Sequence, residues 1–245
     1  TTDLAYYNRG QNYPKLIVDN VNITIGAVLY PAFSKMQDDK RRMKEALRKA
    51  ISSCSFVIFP LMYGLFAIAP DIVRLMLTDK WMPCVPFLRI ACIYFSLYHI
   101  NTANLQALIA LGESKIYAKL NIYKKLIGIV LLLISMPFGV FYMALTEIIA
   151  GIFAVLTNIN INKKYLDYSL FELLNDIGNS LFLSVIMCIS IIFIDTILSK
   201  ICSILILIII IKIILGFVIY FGMSYFLKLN ELHIMLSTLK GVKIK

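Results

Sequence analysis

The sequence predicts an all-α integral membrane protein with about seven transmembrane helices. Hydrophobic residues make up 60% of its 245 residues, above the roughly half-apolar content of soluble domains. They form solid runs such as Ile201–Leu227, long enough to cross a bilayer and unlike the short alternating segments of a membrane β-barrel. Because lipid offers no water to backbone polar groups, helices are the expected structure of these runs.

Seven spans follow one another along the chain. The second contains Pro60 and Pro70, which a membrane helix tolerates where neighbouring helices satisfy the freed carbonyls, and the fifth follows a tight turn at Pro137–Gly139. The predicted spans are Tyr13–Phe33, Ala46–Leu77, Pro86–Leu111, Tyr117–Met136, Gly139–Ile159, Ile177–Ile197 and Ile201–Leu227.

The loop charges predict the orientation. Loops after the odd-numbered spans hold seventeen Lys and Arg, whereas the opposite side holds six. The positive-inside rule assigns the first side, and with it the C-terminus, to the cytoplasm. The chain then enters span one from outside, so we expect it to be a fragment with at least one crossing upstream.

A polar stripe runs along one face of the first predicted helix, at spacings of three and four residues. Such a polar face is not expected to contact lipid. It indicates either interhelical hydrogen bonding or the wall of a hydrophilic cavity, and its charged members favour the cavity. The stripe consists of Asn8, Asn12, Lys15, Asp19 and Asn22.

Span three repeats this pattern with Arg89, Cys92, Ser96 and His99, and an adjacent face adds Asn101 and Asn104. Arg89 is predicted either to snorkel to the interface or to face an anion inside. For His99 the sequence favours a hydrogen-bonded packing role over a titrating one.

Three further groups of ionisable residues lie in or beside the spans. Placing an ionisable residue such as Glu147 in span five or Lys212 in span seven inside the membrane costs free energy, so a functional role is the default hypothesis. Glu147 and Asp19 are candidate coupling-ion sites. Asp71 and Arg74, with Asp79 and Lys80 around Trp81, resemble an ordinary interfacial anchor.

Nothing in the sequence indicates an enzyme, a metal site or a cofactor. No G-x-S-x-G, P-loop or H-E-x-x-H pattern is present, and the five cysteines form no CxxC pair. The net charge of +10 is explained by the basic loops of a membrane protein, which argues against nucleic-acid binding.

Several phrases in the first two thirds of the chain resemble one transporter family, the Wzx/WzxC-type polysaccharide exporters. This family is a branch of the multidrug/oligosaccharidyl-lipid/polysaccharide flippase superfamily. The resemblance covers about Leu4–Leu174 and is only hydropathic beyond. It rests on Tyr6–Gln11, Pro14, Gly26–Asp39, Phe59–Leu65, Ala69–Leu75, Asp79–Pro83 and Leu111–Ser114.

The resemblance implies a two-lobe, MATE/MurJ-like fold of about fourteen helices, of which this chain supplies the C-terminal lobe plus two extra helices. Residues 1–160 would form second-lobe helices, 161–176 a cytoplasmic linker, 177–228 two C-terminal transmembrane helices and 229–245 a basic tail. The resemblance further implies flipping of undecaprenyl-diphosphate-linked saccharide by alternating access in the bacterial inner membrane. Glycan polymerase and chain-length machinery are the partners it suggests.

Under this resemblance the polar residues acquire candidate roles. Arg9, Lys15 and Arg89 are candidates for the diphosphate, and the other polar residues of spans one and three for cavity contacts. Alternatives are a lipid II flippase or a cation-coupled multidrug antiporter of the same superfamily. A membrane glycan polymerase or ligase is less consistent with outer loops this short, and a purely structural subunit would leave the polar stripes unexplained.

Overall fold

The structure is a computed structural model that describes residues 2–201, 204–232 and 235. This part of the chain is helical, without a β-strand. Short 3-10 turns at Asp79–Cys84 and Met136–Phe138 precede α3 and α6. The α-helices are α1 (Thr2–Ser34), α2 (Lys40–Leu77), α3 (Val85–Ser96), α4 (Tyr98–Ala110), α5 (Ser114–Ser135), α6 (Val140–Leu166), α7 (Leu170–Ile201) and α8 (Leu205–Phe226).

Seven helical segments in the described residues are long and apolar enough to cross a bilayer, which confirms the predicted all-α membrane fold. The span Asp79–Ala110 contains two α-helices, α3 and α4. The break falls at Leu97, whose N–H bonds to the carbonyl of Tyr94 at 3.2 Å. This bond spans three residues instead of four, so the helix tightens at this point.

Helix ends extend beyond the predicted spans. α1 begins at Thr2 rather than near Tyr13. The expected linker 161–176 is mostly helical, because α6 continues to Leu166 and α7 begins at Leu170. Ser169 starts α7 with a capping box: its N–H donates to Glu172 Oε2 at 2.9 Å, and its hydroxyl accepts from the N–H of Glu172 at 3.3 Å. The expected tail 229–245 lies mostly outside the described residues.

Lys119, Lys124 and Lys125, which the charge count places in a loop, lie inside α5. Lys124 is about 15 Å along this helix from Ser114, at 1.5 Å per residue. Lys124 and Lys125 are therefore polar residues of a membrane span and do not contribute to the loop charge. The cytoplasmic side assigned from the loop charges stays a prediction.

Helix α2 lies at the centre of the packing. It packs along α7, α3 and α8, while α1 lies against α3 and α4, and α5 packs mainly on α6. Gly10 permits the close approach of α1 to α3, since a Cβ there would lie 2.7 Å from the backbone nitrogen of Leu88. Many side chains of α5 and α8 are exposed and apolar, as expected of surfaces that face lipid.

An ionic cluster, which sequence reasoning missed, joins the first turns of α2 to α7. Arg48 binds the Asp176 carboxylate through two nitrogens, with Nη2 to Oδ1 at 2.6 Å and Nε to Oδ2 at 2.9 Å. Lys44 Nζ lies 2.9 Å from Glu172 Oε1, and the Tyr168 hydroxyl donates to Asp176 Oδ2 at 2.9 Å. Burial raises the pKa of the Tyr168 phenol, with the Asp176 carboxylate adding to the rise. The cluster thus fixes the end of the bundle nearest the α1–α2 loop.

Candidate functional site

A polar cavity of about 700 Å³ lies between α1, α4, α5 and α6, with Tyr94 contributed by α3. Such a volume falls in the range of small-molecule sites. Its polar lining consists of tyrosines, amides, hydroxyls, two lysines and one carboxylate: Tyr7, Tyr94, Tyr98, Asn101, Thr102, Asn121, Lys124, Lys125, Thr146 and Glu147.

Glu147 supplies the only acidic group in the described lining of this cavity. The Tyr7 hydroxyl donates a hydrogen bond to its Oε1, and Gln11 Nε2 donates to Oε1 at 2.9 Å and to Oε2 at 2.7 Å. These three hydrogen bonds link α1 to α6 at the Glu147 carboxyl group.

Two pairs of asparagines join α4 to α6. Asn158 Nδ2 donates to Asn101 Oδ1 at 2.8 Å, and Asn162 Nδ2 donates to Asn104 Oδ1 at 2.5 Å. Asn104, Asn158 and Asn162 are fully buried, whereas Asn101 is half-buried at the cavity. We call these four residues the amide seam.

Lys124 approaches the amide seam from α5 and donates a hydrogen bond to Asn158 Oδ1. Both polar atoms of the Asn158 side chain are therefore hydrogen-bonded, since its oxygen accepts from Lys124 and its nitrogen donates to Asn101. Within the described residues, Lys124 forms no ion pair with a carboxylate. A half-buried cation thus lies at the cavity with only a neutral protein partner.

The α1 polar stripe lies elsewhere. Asn8, Arg9, Asn12, Lys15 and Asp19 are exposed, and the α1 residues that line the cavity are instead Leu4 and Tyr7. The Arg9 guanidinium lies 5.6 Å from the ring centroid of Trp81. At the end of the stripe, both amide atoms of Asn22 are buried without a hydrogen-bond partner in the described part.

Of the span-three candidates, only Asn101 lines the cavity. Arg89 turns towards α2, where Nε donates to the Phe66 carbonyl at 3.3 Å and the guanidinium lies over the Phe66 ring. Ser96, His99 and Asn104 are enclosed in the bundle. Ligand contact by these residues stays a prediction, although their enclosure in the bundle does not favour it.

His99 has the surroundings of a packing residue. Its Nε2 lies 2.8 Å from Ser55 Oγ, and its ring meets Phe59 edge-on at 5.6 Å between centroids. Its Nδ1 has no partner in the part of the chain that the structure describes.

Lys212 forms a second polar cluster, away from the cavity. It is fully buried, and its ammonium contacts Asp71 Oδ2 and Asp195 Oδ1, the latter at 2.5 Å. Asp71 is therefore not part of the interfacial anchor expected from the sequence, although Arg74 and Asp79 do pair at 3.2 Å. We call Lys212, Asp71 and Asp195 the α8 triad.

The α8 triad adjoins an apolar groove of about 420 Å³ between α2, α7 and α8. Lys212 is the only charged residue in its described lining, where its neighbours include Pro60, Gly64, Gly216 and Phe217. This groove matches apolar molecules in shape and chemistry, whereas the first cavity suits polar ones.

The cavity can bind hydroxyls and anions, but its residues do not form a metal or nucleophile constellation. No group of three or more His, Cys, Asp and Glu residues with metal-site geometry occurs among the described residues. Four cysteines with described side chains, Cys54, Cys84, Cys92 and Cys188, are free and lie wholly or partly buried. Cys202 and His233 lie outside the described residues.

Comparison with known proteins identifies related membrane proteins. The model of a family described as "Polysaccharide biosynthesis protein" matches residues 1–86. An uncharacterized membrane protein in the cps region of Klebsiella pneumoniae is 32% identical over 129 residues, 53% of this chain and 27% of its own length. The lipopolysaccharide biosynthesis protein WzxC of Escherichia coli K12 is 29% identical over 118 residues, 48% of this chain and 24% of its own length.

Over its first 86 residues, the chain is thus similar to a polysaccharide biosynthesis family. Its matches span about a quarter of the length of these curated relatives. The family model ends at residue 86, so Asn101, Lys124, Glu147 and Asn158 lie beyond it.

The fold has a solved counterpart in the lipid II flippase MurJ, in an inward closed conformation. The TM-score is 0.73 at 20% identity, with 91% of this chain and 47% of the MurJ chain covered. At this identity the likeness shows the fold, and it confirms the MurJ-like helical architecture expected from the sequence.

Proposed function

We propose that the whole protein, of which this chain forms a part, moves an undecaprenyl-diphosphate-linked saccharide from the cytoplasmic to the periplasmic leaflet by alternating access. The proposal includes a bacterial inner-membrane location with a cytoplasmic C-terminus, and proximity to glycan polymerase and chain-length machinery. Similarity to the polysaccharide biosynthesis family and to WzxC, together with the MurJ-like fold, supports the transport class, and the polar cavity supports the cargo.

The observation that best supports this proposal is a polar cavity between helices that are long enough to span the bilayer. A saccharide presents many hydroxyls, each of which needs a partner once it leaves water. Tyrosines, amides and threonines supply donors and acceptors along the cavity. The exposed α1 polar stripe could extend such a surface towards the rest of the protein.

The predicted residue roles form part of this proposal. Asn8, Asn12, Asn101 and Asn104 would hydrogen-bond to sugar or diphosphate, and Arg9, Lys15 and Arg89 would attract the charge of the diphosphate. Asn22, Ser96 and His99 would contribute to the cavity. Asp19 and Glu147 would bind a coupling proton or cation, and the geometry favours Glu147, which already lines the cavity.

A lipid II flippase is a second candidate function, because a protein of that name shares the fold. Lipid II is also a lipid-linked saccharide, so the physical demands on the cavity are similar. The two functions differ in the glycan that accumulates when the protein is missing.

The test is deletion of the full-length gene in its own host, followed by measurement of which leaflet holds the undecaprenyl-linked saccharides. We expect accumulation on the cytoplasmic face, loss of surface glycan, and recovery of both with the intact gene. Accumulation of lipid II instead would select the second function. Normal sidedness and intact surface glycan, in a host without a redundant exporter, would contradict both.

A further inference from the structure

Lys124 is a cation for which the described residues provide no charge partner. Its ammonium lies beside the cavity of about 700 Å³, half-buried, and bonds to the neutral Asn158. A cation at membrane depth is expensive, and such residues usually pair with a counter-charge or serve a ligand. Among the described lining residues the one acidic group is Glu147, which is already bound by Tyr7 and Gln11.

The surroundings of Asn158 fix the oxygen that accepts the hydrogen bond from the Lys124 ammonium. Asn158 cannot rotate its amide without losing a bond, because Nδ2 binds Asn101 while Oδ1 binds Lys124. Asn158 is fully buried, and the adjacent Asn104–Asn162 pair holds α4 and α6 together one turn further along. The amide seam therefore presents a fixed carbonyl oxygen to a flexible lysine.

We propose that Lys124 is an oxyanion-binding residue of the polar cavity, positioned by Asn158. The ligand chemistry is a phosphate or carboxylate oxygen, and the inference rests on the proposed function. An ammonium binds phosphate as a point charge with three donors. One donor is used on Asn158, so others remain for an incoming anion.

Two parts of a lipid-linked saccharide carry such an oxyanion: the diphosphate, and the carboxylate of an acidic sugar. Two soluble probes distinguish these sources: farnesyl diphosphate represents the diphosphate, and galacturonate represents the carboxylate of an acidic sugar. Their binding to the detergent-solubilised full-length protein is measurable by isothermal titration calorimetry.

The first comparison is between Lys124→Gln and Lys119→Gln. Both substitutions remove one positive charge from α5, but Lys119 is exposed and does not line the cavity. We expect Lys124→Gln to weaken binding of the true oxyanion about tenfold or more, and Lys119→Gln to leave it unchanged. Loss confined to farnesyl diphosphate assigns the phosphate source, and loss confined to galacturonate assigns the sugar; each supports the site.

Two further variants separate anion binding from folding. Lys124→Arg keeps the charge and should retain most of the affinity. Asn158→Asp supplies an internal carboxylate of nearly the same shape, which should occupy the ammonium and weaken anion binding about as much as Lys124→Gln.

The proposal is overturned if the full-length protein binds neither probe, or if Lys124→Gln binds both as the unaltered protein does. It is also overturned if Asn158→Asp, folded as judged by its elution profile and circular dichroism, retains full anion affinity. The proposed function fails separately: normal leaflet sidedness after gene deletion would contradict export whatever Lys124 binds.

Discussion

Lys212 and Lys124 both lie within membrane spans, and the structure surrounds them in opposite ways. Lys212 in α8 is fully buried and contacts two carboxylates, Asp71 and Asp195. Lys124 in α5 is half-buried beside a cavity and contacts an asparagine. The nearby protein therefore neutralises one charge and leaves the other available.

This difference separates a structural charge from a candidate binding charge. Removing one member of a buried ion pair leaves an uncompensated charge in a poor solvent. Removing a cation that has only neutral neighbours leaves no such charge behind. The same substitution should therefore act on stability at Lys212 and on ligand binding at Lys124.

The largest effect on stability is expected for Lys212→Leu. It leaves Asp71 and Asp195 without their cation, and breaking a buried ion pair typically costs about 3–5 kcal/mol. We expect a large fall in the thermal unfolding midpoint of the full-length protein in detergent, or a loss of protein from the membrane.

A double-mutant cycle sharpens this expectation. Adding Asp71→Asn to Lys212→Leu removes one orphaned carboxylate, so the double variant should lose less than the sum of the single losses. Additive losses would show that the α8 triad does not couple α2 to α8.

A smaller effect is expected at the α2–α7 ionic cluster. Arg48→Ala removes a two-nitrogen contact with Asp176, and its partial exposure limits the expected loss to about 1 kcal/mol. Arg41→Ala is the matched control, because Arg41 pairs with Glu45 in an exposed i,i+4 position, where such pairs contribute about 0.5 kcal/mol or less. Equal shifts in the unfolding midpoint of both variants would contradict this ranking.

Asn162→Leu tests the amide seam. It removes the donor to Asn104 Oδ1 and leaves a buried acceptor unsatisfied, at a cost of about 1–3 kcal/mol. Asn160→Leu, two residues earlier on the exposed side of α6, is the control and should leave the unfolding midpoint nearly unchanged. A destabilisation by Asn160→Leu as large as that by Asn162→Leu would count against the seam.

The smallest effect on stability is expected for Lys124→Met. The change leaves Asn158 Oδ1 without its donor, but it also removes a partly desolvated cation, which offsets part of that cost, so we expect a shift within about 1 kcal/mol. A loss as large as that of Lys212→Leu would indicate a hidden carboxylate partner for Lys124.

Much of the fold follows from the sequence because hydrophobic run length is a local signal. The seven spans and the apolar character of Ile201–Leu227 needed no knowledge of packing. Run length does not predict the break at Leu97 or the extension of α6 and α7 into residues 161–176. They depend on single backbone bonds and on a cap at Ser169.

The candidate site was less predictable, because its contacts join residues far apart in the chain. Asn101, Tyr7 and Glu147 lie on three helices and meet only through packing. The loop-charge count includes Lys124, although its position within the predicted span Tyr117–Met136 already indicates a residue of the membrane helix. Asp71 and Lys212 are 141 residues apart, and no local pattern connects them.

The central claim concerns transport through the polar cavity, and reconstitution tests it most directly. Proteoliposomes containing the full-length protein would receive a fluorescent short-chain polyprenyl-diphosphate saccharide. Quenching from outside would then report how fast it changes leaflet. The account predicts rapid exchange that Lys124→Gln slows and Lys119→Gln does not. Exchange no faster than in protein-free vesicles, with correctly folded protein and the host's own glycan, would contradict it.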